Sequence, residues 1–314
     1  MSGYRLVQLA RPNGGRAVAH AVNSRGFVVG SAWRSPTGPS SPCVWREPSS
    51  VEFLAHLGGH GGTARDIDEG GMIVGDCQTP DHASHACLWQ PDGSITDIGR
   101  TVGGHSAAMK IGPSGSIVGW ASIHPTDGGQ AHFRPALWPA GGSPVVLRDL
   151  GEAWGEGVDI NATDQAVIVA HQGRHVDARF WNGDRTARVG LPGAQFSHLW
   201  PKRLADDGTL AGLIVGNDGS RGAAVRRPDG SWEIPVQPLR DREVSAANKR
   251  GLIAGYDRHD DYNIPWIMSD PGAVNYLPHL KYHQHRPYMI SEDGWIVGTA
   301  ASDNCCHPLL WIPA

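Results

Sequence analysis

Seven similar strings divide this chain at a near-constant interval. They are "NSRGFVVG", "DEGGMIVG", "GPSGSIVG", "NATDQAVIVA", "ADDGTLAG", "NKRGLIAG" and "SEDGWIVG". In each, a small or polar residue opens a tight turn and an apolar run closes on a small residue. The closing residues are Gly30, Gly75, Gly119, Ala170, Gly212, Gly255 and Gly298, spaced by 45, 44, 51, 42, 43 and 43. A second series follows with the same period and ends at Trp45, Trp89, Trp138, Trp181, Arg226, Met268 and Trp311. A third lies between units, as in "ITDIGRTVGG" and "VLRDLGE". Each unit therefore reads as four short strands: A before the turn, B to the glycine, C to the tryptophan, and D.

Four strands per unit of about 40 to 45 residues is the pattern of a β-propeller. The expected fold is all-β, a single seven-bladed propeller over residues 1–314. The blades are placed at 16–58, 60–99, 105–151, 154–191, 198–239, 242–280 and 284–314, with 1–10 as the outer strand of the last. The ends suggest this closure. The last unit stops just after strand C, and "YRLVQLARPNGG" reads as its missing D: Leu9 precedes Val22 by the same interval as Ile98 precedes Ile111. Closure removes exposed sheet edges. The 42 glycines and 12 tryptophans, with only 27 lysines and arginines, suit many short strands and turns.

The stretch "GMIVGDCQTPDHASHACLWQPDGSITDIG" resembles the HAF-repeat family, named for a His-Ala-Phe before its tryptophan. Cys87 stands where the family has phenylalanine. "CCHPLLW" keeps the histidine, whereas "RPALW" and "SPCVW" do not. The resemblance covers nearly the whole chain and implies a propeller. It implies almost nothing about chemistry, because function lives in sites grafted on folds. The family is described as extracellular. The N-terminus "MSGYRLVQLARPNGG" shows no secretory pattern, so a cytoplasmic location is expected here.

A net charge of −4 without a basic stripe argues against nucleic acid. No stretch approaches 18 apolar residues, so no membrane span is expected. Five cysteines do not resemble a disulfide framework.

In the usual strand order, the A–B and C–D turns share one face and the D–A and B–C loops the other. The first face is built of short turns such as "SEDG" and "PDGS". The second carries longer loops, and all sixteen histidines are assigned to these loops or to the strand ends entering them. Long loops on a rigid scaffold are where function concentrates. The D–A loops and inner strands supply a polar mouth with aromatic walls, the usual picture of a small-molecule site. The expected catalytic residues are His198, His285, His283, His105, Tyr288 and Lys202. The expected substrate-binding residues are His20, His60, Arg65, Asp66, Trp154, Glu156, Trp200, Arg203, Arg242 and Arg286, with Arg240, Lys110 and Asp159 nearby.

Imidazole, phenol, guanidinium and ammonium groups together suit proton abstraction beside a carbonyl, with cations steadying the enolate. This points to a lyase, cyclase or isomerase of specialised metabolism acting on a small molecule, without a cofactor. One alternative is a metal-dependent enzyme holding a divalent ion through His60, His105, His198, His283 and His285 around the axis. Another is a non-catalytic propeller that binds a ligand or a protein partner. The C-strand tryptophans, Cys43 and Cys87 read as blade core. Cys305 and Cys306 beside His307 read as structural, and "DRHDDYN" (257–263) as a solvated loop.

Overall fold

The structure is a computed structural model. It describes residues 3–12, 15–35, 37–102, 104–123, 132–148, 150, 154–172, 175–239, 241–270, 273–281, 283–302 and 305–314; of residues 101, 172, 175, 236–239, 270 and 305 only the backbone is described. Arg240 and the Cys305 side chain lie outside the described residues.

The four strands expected in each unit form, and they pair in chain order. Unit 1 pairs Ala17–Val22, Val28–Trp33, Ser40–Trp45 and Glu52–Phe53; unit 2 pairs Gly62–Ile67, Ile73–Gln78, Ser84–Trp89 and Ile95–Asp97. Units 3 to 6 repeat the arrangement, with inner strands Ser106–Ile111, Trp154–Ile160, Phe196–Leu204 and Arg242–Ala247. In unit 7, Gln284–Ile290, Ile296–Ser302 and Cys305–Pro313 are completed by Tyr4–Gln8 from the other end of the chain, with Tyr4 opposite Pro313 and Gln8 opposite Leu309. Units 6 and 7 touch through one parallel bridge, Asn263 to Gln284. Inner strands pack on the sheet of the preceding unit throughout, and the inner strand of unit 1 packs on all three C-terminal strands.

The repeat residues explain this order. Trp45, Trp89, Trp181 and Trp311 are almost wholly buried, and Trp138 nearly so. Each sits opposite the first residue of its strand B, such as Ile73 for Trp89. Four of the indoles also donate to a carbonyl at the end of the preceding unit: Trp45 to Ala10 (2.8 Å), Trp89 to Ala55 (2.8 Å), Trp138 to Ile98 (3.0 Å) and Trp311 to Pro278 (2.7 Å). One side chain thus fills a blade core and latches it to its neighbour. Cys43 and Cys87 are fully buried packing residues.

The polar residues opening the A–B turns have a similar double role. The Asn23 side-chain oxygen accepts from the backbone of Arg25 and Phe27, closing the turn, while its amide nitrogen donates to Asp68 of unit 2. Asn161 and Asn248 repeat this toward Ala205 and Ser291.

One register differs from expectation. Every inner strand leaves one residue unpaired against strand B near its end, unit 5 having a second at Ser197, and the residue opposite the start of this bulge is Gly30, Gly75, Gly119, Gly212, Gly255 or Gly298. In unit 4 that residue is Ile168, not Ala170. The glycine has crossed to the partner strand, where Gly157 faces Ile168 and a Cβ would collide with Val118. Elsewhere the reason for glycine is direct. At Gly30 and Gly75 a Cβ would run into the carbonyl oxygens of Val18 and Thr63.

Candidate active site in the central channel

The bulges build the site. A bulge sets two residues of one strand against one of its partner and re-aims a side chain. The unpaired residues, unit by unit, are His20, Arg65, Met109, Val158, Lys202, Ser245 and Tyr288. All seven line one cavity of about 230 Å³ enclosed by the inner strands. Apolar neighbours such as Ala21, Pro201 and Ile290 complete its wall.

The residue after each bulge forms a second layer, and in units 2 to 5 this layer is ion-paired. Asp66, 2% exposed, holds the Lys110 ammonium at 2.8 Å and accepts from the Ile111 amide at 3.0 Å. Asp159, fully buried, repeats the arrangement one unit pair further on, with Arg203 at 3.2 Å and the Leu204 amide at 2.7 Å. Arg203 also reaches Glu292 at 3.1 Å. Asp66 and Arg203 were expected to bind substrate. Both line the cavity and also join neighbouring blades, because a buried charge must be paired.

Within the cavity, His20 donates from Nδ1 to the carbonyl of Ala64 at 3.0 Å, which leaves Nε2 as the lone-pair nitrogen. Burial holds its pKa below the ordinary value, opposed by that hydrogen bond and aided by Arg65. The Tyr288 ring lies edge-on, centroids 6.2 Å apart. Desolvation raises the Tyr288 phenol. Arg65 is held by Asp76 at 2.8 Å. Lys202 is lowered by burial, against the fields of Glu243 and Glu156. Those two carboxyls are themselves raised by burial.

The other expected residues lie elsewhere. His285 is fully buried between units 6 and 7. Its Nδ1 faces the carbonyls of His283 (2.9 Å) and Asn263 (3.1 Å), and its Nε2 accepts from Leu280 (3.1 Å). It lies inside strand Gln284–Ile290, not on a rim loop. His283 packs edge-on to His307, centroids 5.5 Å apart, and His105 accepts from the Ser84 amide at 3.0 Å. His60 and Arg286 are exposed. Arg242 makes two 2.7 Å bonds to Asp257. Trp154 and Trp200 meet, but around His171: Trp154 stacks on it at 3.7 Å, Trp200 lies 5.1 Å away, and His198 lies edge-on to Trp200 at 6.0 Å.

The five histidines expected to circle the axis are not brought together. Among the described residues, no group of three or more His, Cys, Asp or Glu is placed to hold a metal ion. Nor is any helix among them long and apolar enough to cross a membrane.

Comparison with solved structures fits this architecture. The chain superposes on puromycin hydrolase with a TM-score of 0.64 at 15% identity, over 98% of this chain and 54% of that one. It therefore spans about half the length of that protein. It matches the β-propeller domain of the Trilobed protease from Pyrococcus furiosus at TM-score 0.62 and 11% identity, over 95% and 94% of the two chains. The fold is a β-propeller. An oligogalacturonate lyase in complex with manganese (TM-score 0.65, 11% identity, 100% and 94% covered) is a further structural neighbour. So is a catalytically inactive virginiamycin B lyase from Staphylococcus aureus with quinupristin (0.56, 12%, 98% and 99%). No family model and no curated protein matches the sequence. The HAF-repeat resemblance rests on the motif alone.

Three of the seven bulge residues, Met109, Val158 and Ser245, and the neighbouring Glu243 were not singled out from the sequence. A signal existed. Each of these seven bulge residues lies ten positions before the strand B residue opposite the start of its bulge, from His20 and Gly30 to Tyr288 and Gly298.

Proposed function

We propose that this seven-bladed propeller is a single-domain enzyme of non-redox acid/base chemistry. Its reaction is of the lyase, cyclase or isomerase type, on a small carbonyl-bearing molecule bound in the central cavity. One observation carries the reading: seven equivalent bulges direct His20, Arg65, Lys202, Ser245 and Tyr288, with two apolar side chains, into the same 230 Å³ space. A structural ring would have no need for five chemically different polar groups at one repeat position.

His20 is the general base. Its Nδ1–H is tied to Ala64, so Nε2 is the nitrogen that takes a proton from the carbon beside the carbonyl. Arg65 balances the negative charge that develops on the carbonyl oxygen. Tyr288, edge-on to His20, returns a proton to the product. The puromycin hydrolase and the two lyases among the structural neighbours support an enzymatic propeller at the level of fold.

The test is proton exchange in D2O, followed by NMR over a panel of small aldehydes, ketones and keto acids. Wild-type protein exchanges or converts at least one of them. His20→Asn, which keeps a donor for Ala64 but has no basic nitrogen, loses about 10²–10⁴ of the rate. An unchanged rate in His20→Asn removes the acid/base reading.

A further inference from the structure

Four cations line the central cavity: Arg65, Lys110, Lys202 and Arg203. Three are paired at close range: Arg65 with Asp76 (2.8 Å), Lys110 with Asp66 (2.8 Å) and Arg203 with Asp159 (3.2 Å). Of these four, Lys202 alone makes neither an ion pair nor a hydrogen bond among the described residues. It is the unpaired residue of its bulge, with Pro201 and Arg203 in register on either side.

Two roles fit an unpaired ammonium in a pocket: a counter-ion for an anionic substrate, or an amine nucleophile. The surroundings favour the second. The charged groups acting on Lys202 are the carboxyls of Glu243, which also pairs with Arg221 at 3.4 Å, and Glu156; they offset the ammonium charge, so it is not a free counter-ion for an anion. One Glu243 carboxyl oxygen is buried without a hydrogen-bond partner. Burial also lowers the affinity of the Lys202 amine for its proton, which favours the nucleophilic form.

We propose that the Lys202 amine forms an imine with the aldehyde or ketone carbon of the substrate. The inference rests on the reading of the central cavity as the active site. The nitrogen attacks the carbonyl carbon and the C–O π bond opens to a carbinolamine. Water then leaves as the C=N bond forms. The two hydrogens of that water come from the amine, relayed by the Glu156 and Glu243 carboxyls, so no oxidant or reductant is needed. A proton passed from the Glu156 or Glu243 carboxyl to the imine nitrogen acidifies the adjacent C–H bond, and the proton of that C–H bond is the one His20 removes.

The chain has four lysines, Lys110, Lys202, Lys249 and Lys281, so labelling is readily mapped. The full chain is treated with propanal and sodium cyanoborohydride, and the propyl-lysines are located by peptide mass spectrometry. Lys202 is expected to be labelled about tenfold faster than the exposed Lys281. Labelling no faster than at Lys281 overturns the proposal. Lys202→Arg keeps the charge but cannot form the imine, so it should lose the deuterium exchange; retained exchange also overturns it. The two readings fail separately. If His20→Asn still exchanges while Lys202 labels fast, the acid/base reading falls and the imine stands. If exchange depends on His20 but Lys202 does not label, the imine falls alone.

Discussion

His20 of unit 1 donates its Nδ1 proton to the carbonyl oxygen of Ala64 in unit 2, 3.0 Å away. The bond crosses a blade junction. It fixes both the ring and its tautomer, and it turns the basic nitrogen away from the backbone. His20→Asn retains a donor at the same distance along the side chain. We expect its melting temperature to stay within a few degrees of wild type while exchange or turnover drops by about 10²–10⁴. Differential scanning fluorimetry and NMR exchange on the same samples separate the two effects.

Gly75 faces Ala64 at the start of the unit 2 bulge, and a Cβ there would strike the Thr63 carbonyl. Gly75→Ala must therefore distort the bulge that presents Arg65. A loss of about 1–3 kcal/mol in urea unfolding is expected, as for other overpacked interiors. A variant as stable as wild type would show that the strand pair relaxes freely.

The Trp89 indole donates to Ala55 at 2.8 Å while its ring is fully buried. Trp89→Phe keeps most of the packing and removes the donor. The Ala55 carbonyl then lacks this partner, so denaturation should report a loss of about 1–3 kcal/mol. Trp89→Ala, which also opens a cavity, should cost about 3–5 kcal/mol.

Tyr4–Gln8 completes the last sheet, Leu9 is buried in the unit 1 core, and Ala10 accepts from Trp45. Deleting residues 1–10 exposes the edge of strand Cys305–Pro313 and unlatches Trp45. A fall of at least ~10 °C in melting temperature is expected. An unchanged melting curve would refute closure of the ring by the N-terminal strand.

His285 is held neutral by burial, its pKa lowered from 6.5 to about 4. The unfolded chain takes up a proton below 6.5 that the folded protein refuses, so this contribution is fully present above pH 6.5. It is lost as pH falls toward about 4, at up to about 1.4 kcal/mol per pH unit. Urea titrations at several pH values check the slope. His285→Gln should flatten it over that window, while being less stable at neutral pH because the imidazole's buried hydrogen bonds are lost.

Most of the fold was legible in the sequence because its signals are local. A turn that needs Asn23 or Asn248, a strand that closes on glycine and a tryptophan two strands along are each short-range, and sevenfold repetition removes ambiguity. The N-terminal strand was legible for the same reason: it carries strand D spacing, and Tyr4–Gln8 does pair with Leu309–Pro313. Unit 4 was misregistered by two residues, since its glycine had moved to position 157 and left Ile168 in the usual slot.

The site was less legible. Histidine density in "HLKYHQHRPYMI" drew attention to His283 and His285, yet density does not say where a side chain points. The strand pairing buries His285 and ties up both its nitrogens, while a bulge three residues on turns Tyr288 into the channel. The same pairing satisfied Asp66, Arg203 and Arg242 with partners from other strands and left Lys202 unpaired. By itself the sequence determined which residues enter each inner strand, since period and turn chemistry are written locally. Only the tertiary structure decided which of them face the cavity, because that depends on a one-residue bulge and on charges supplied by strands distant in the chain.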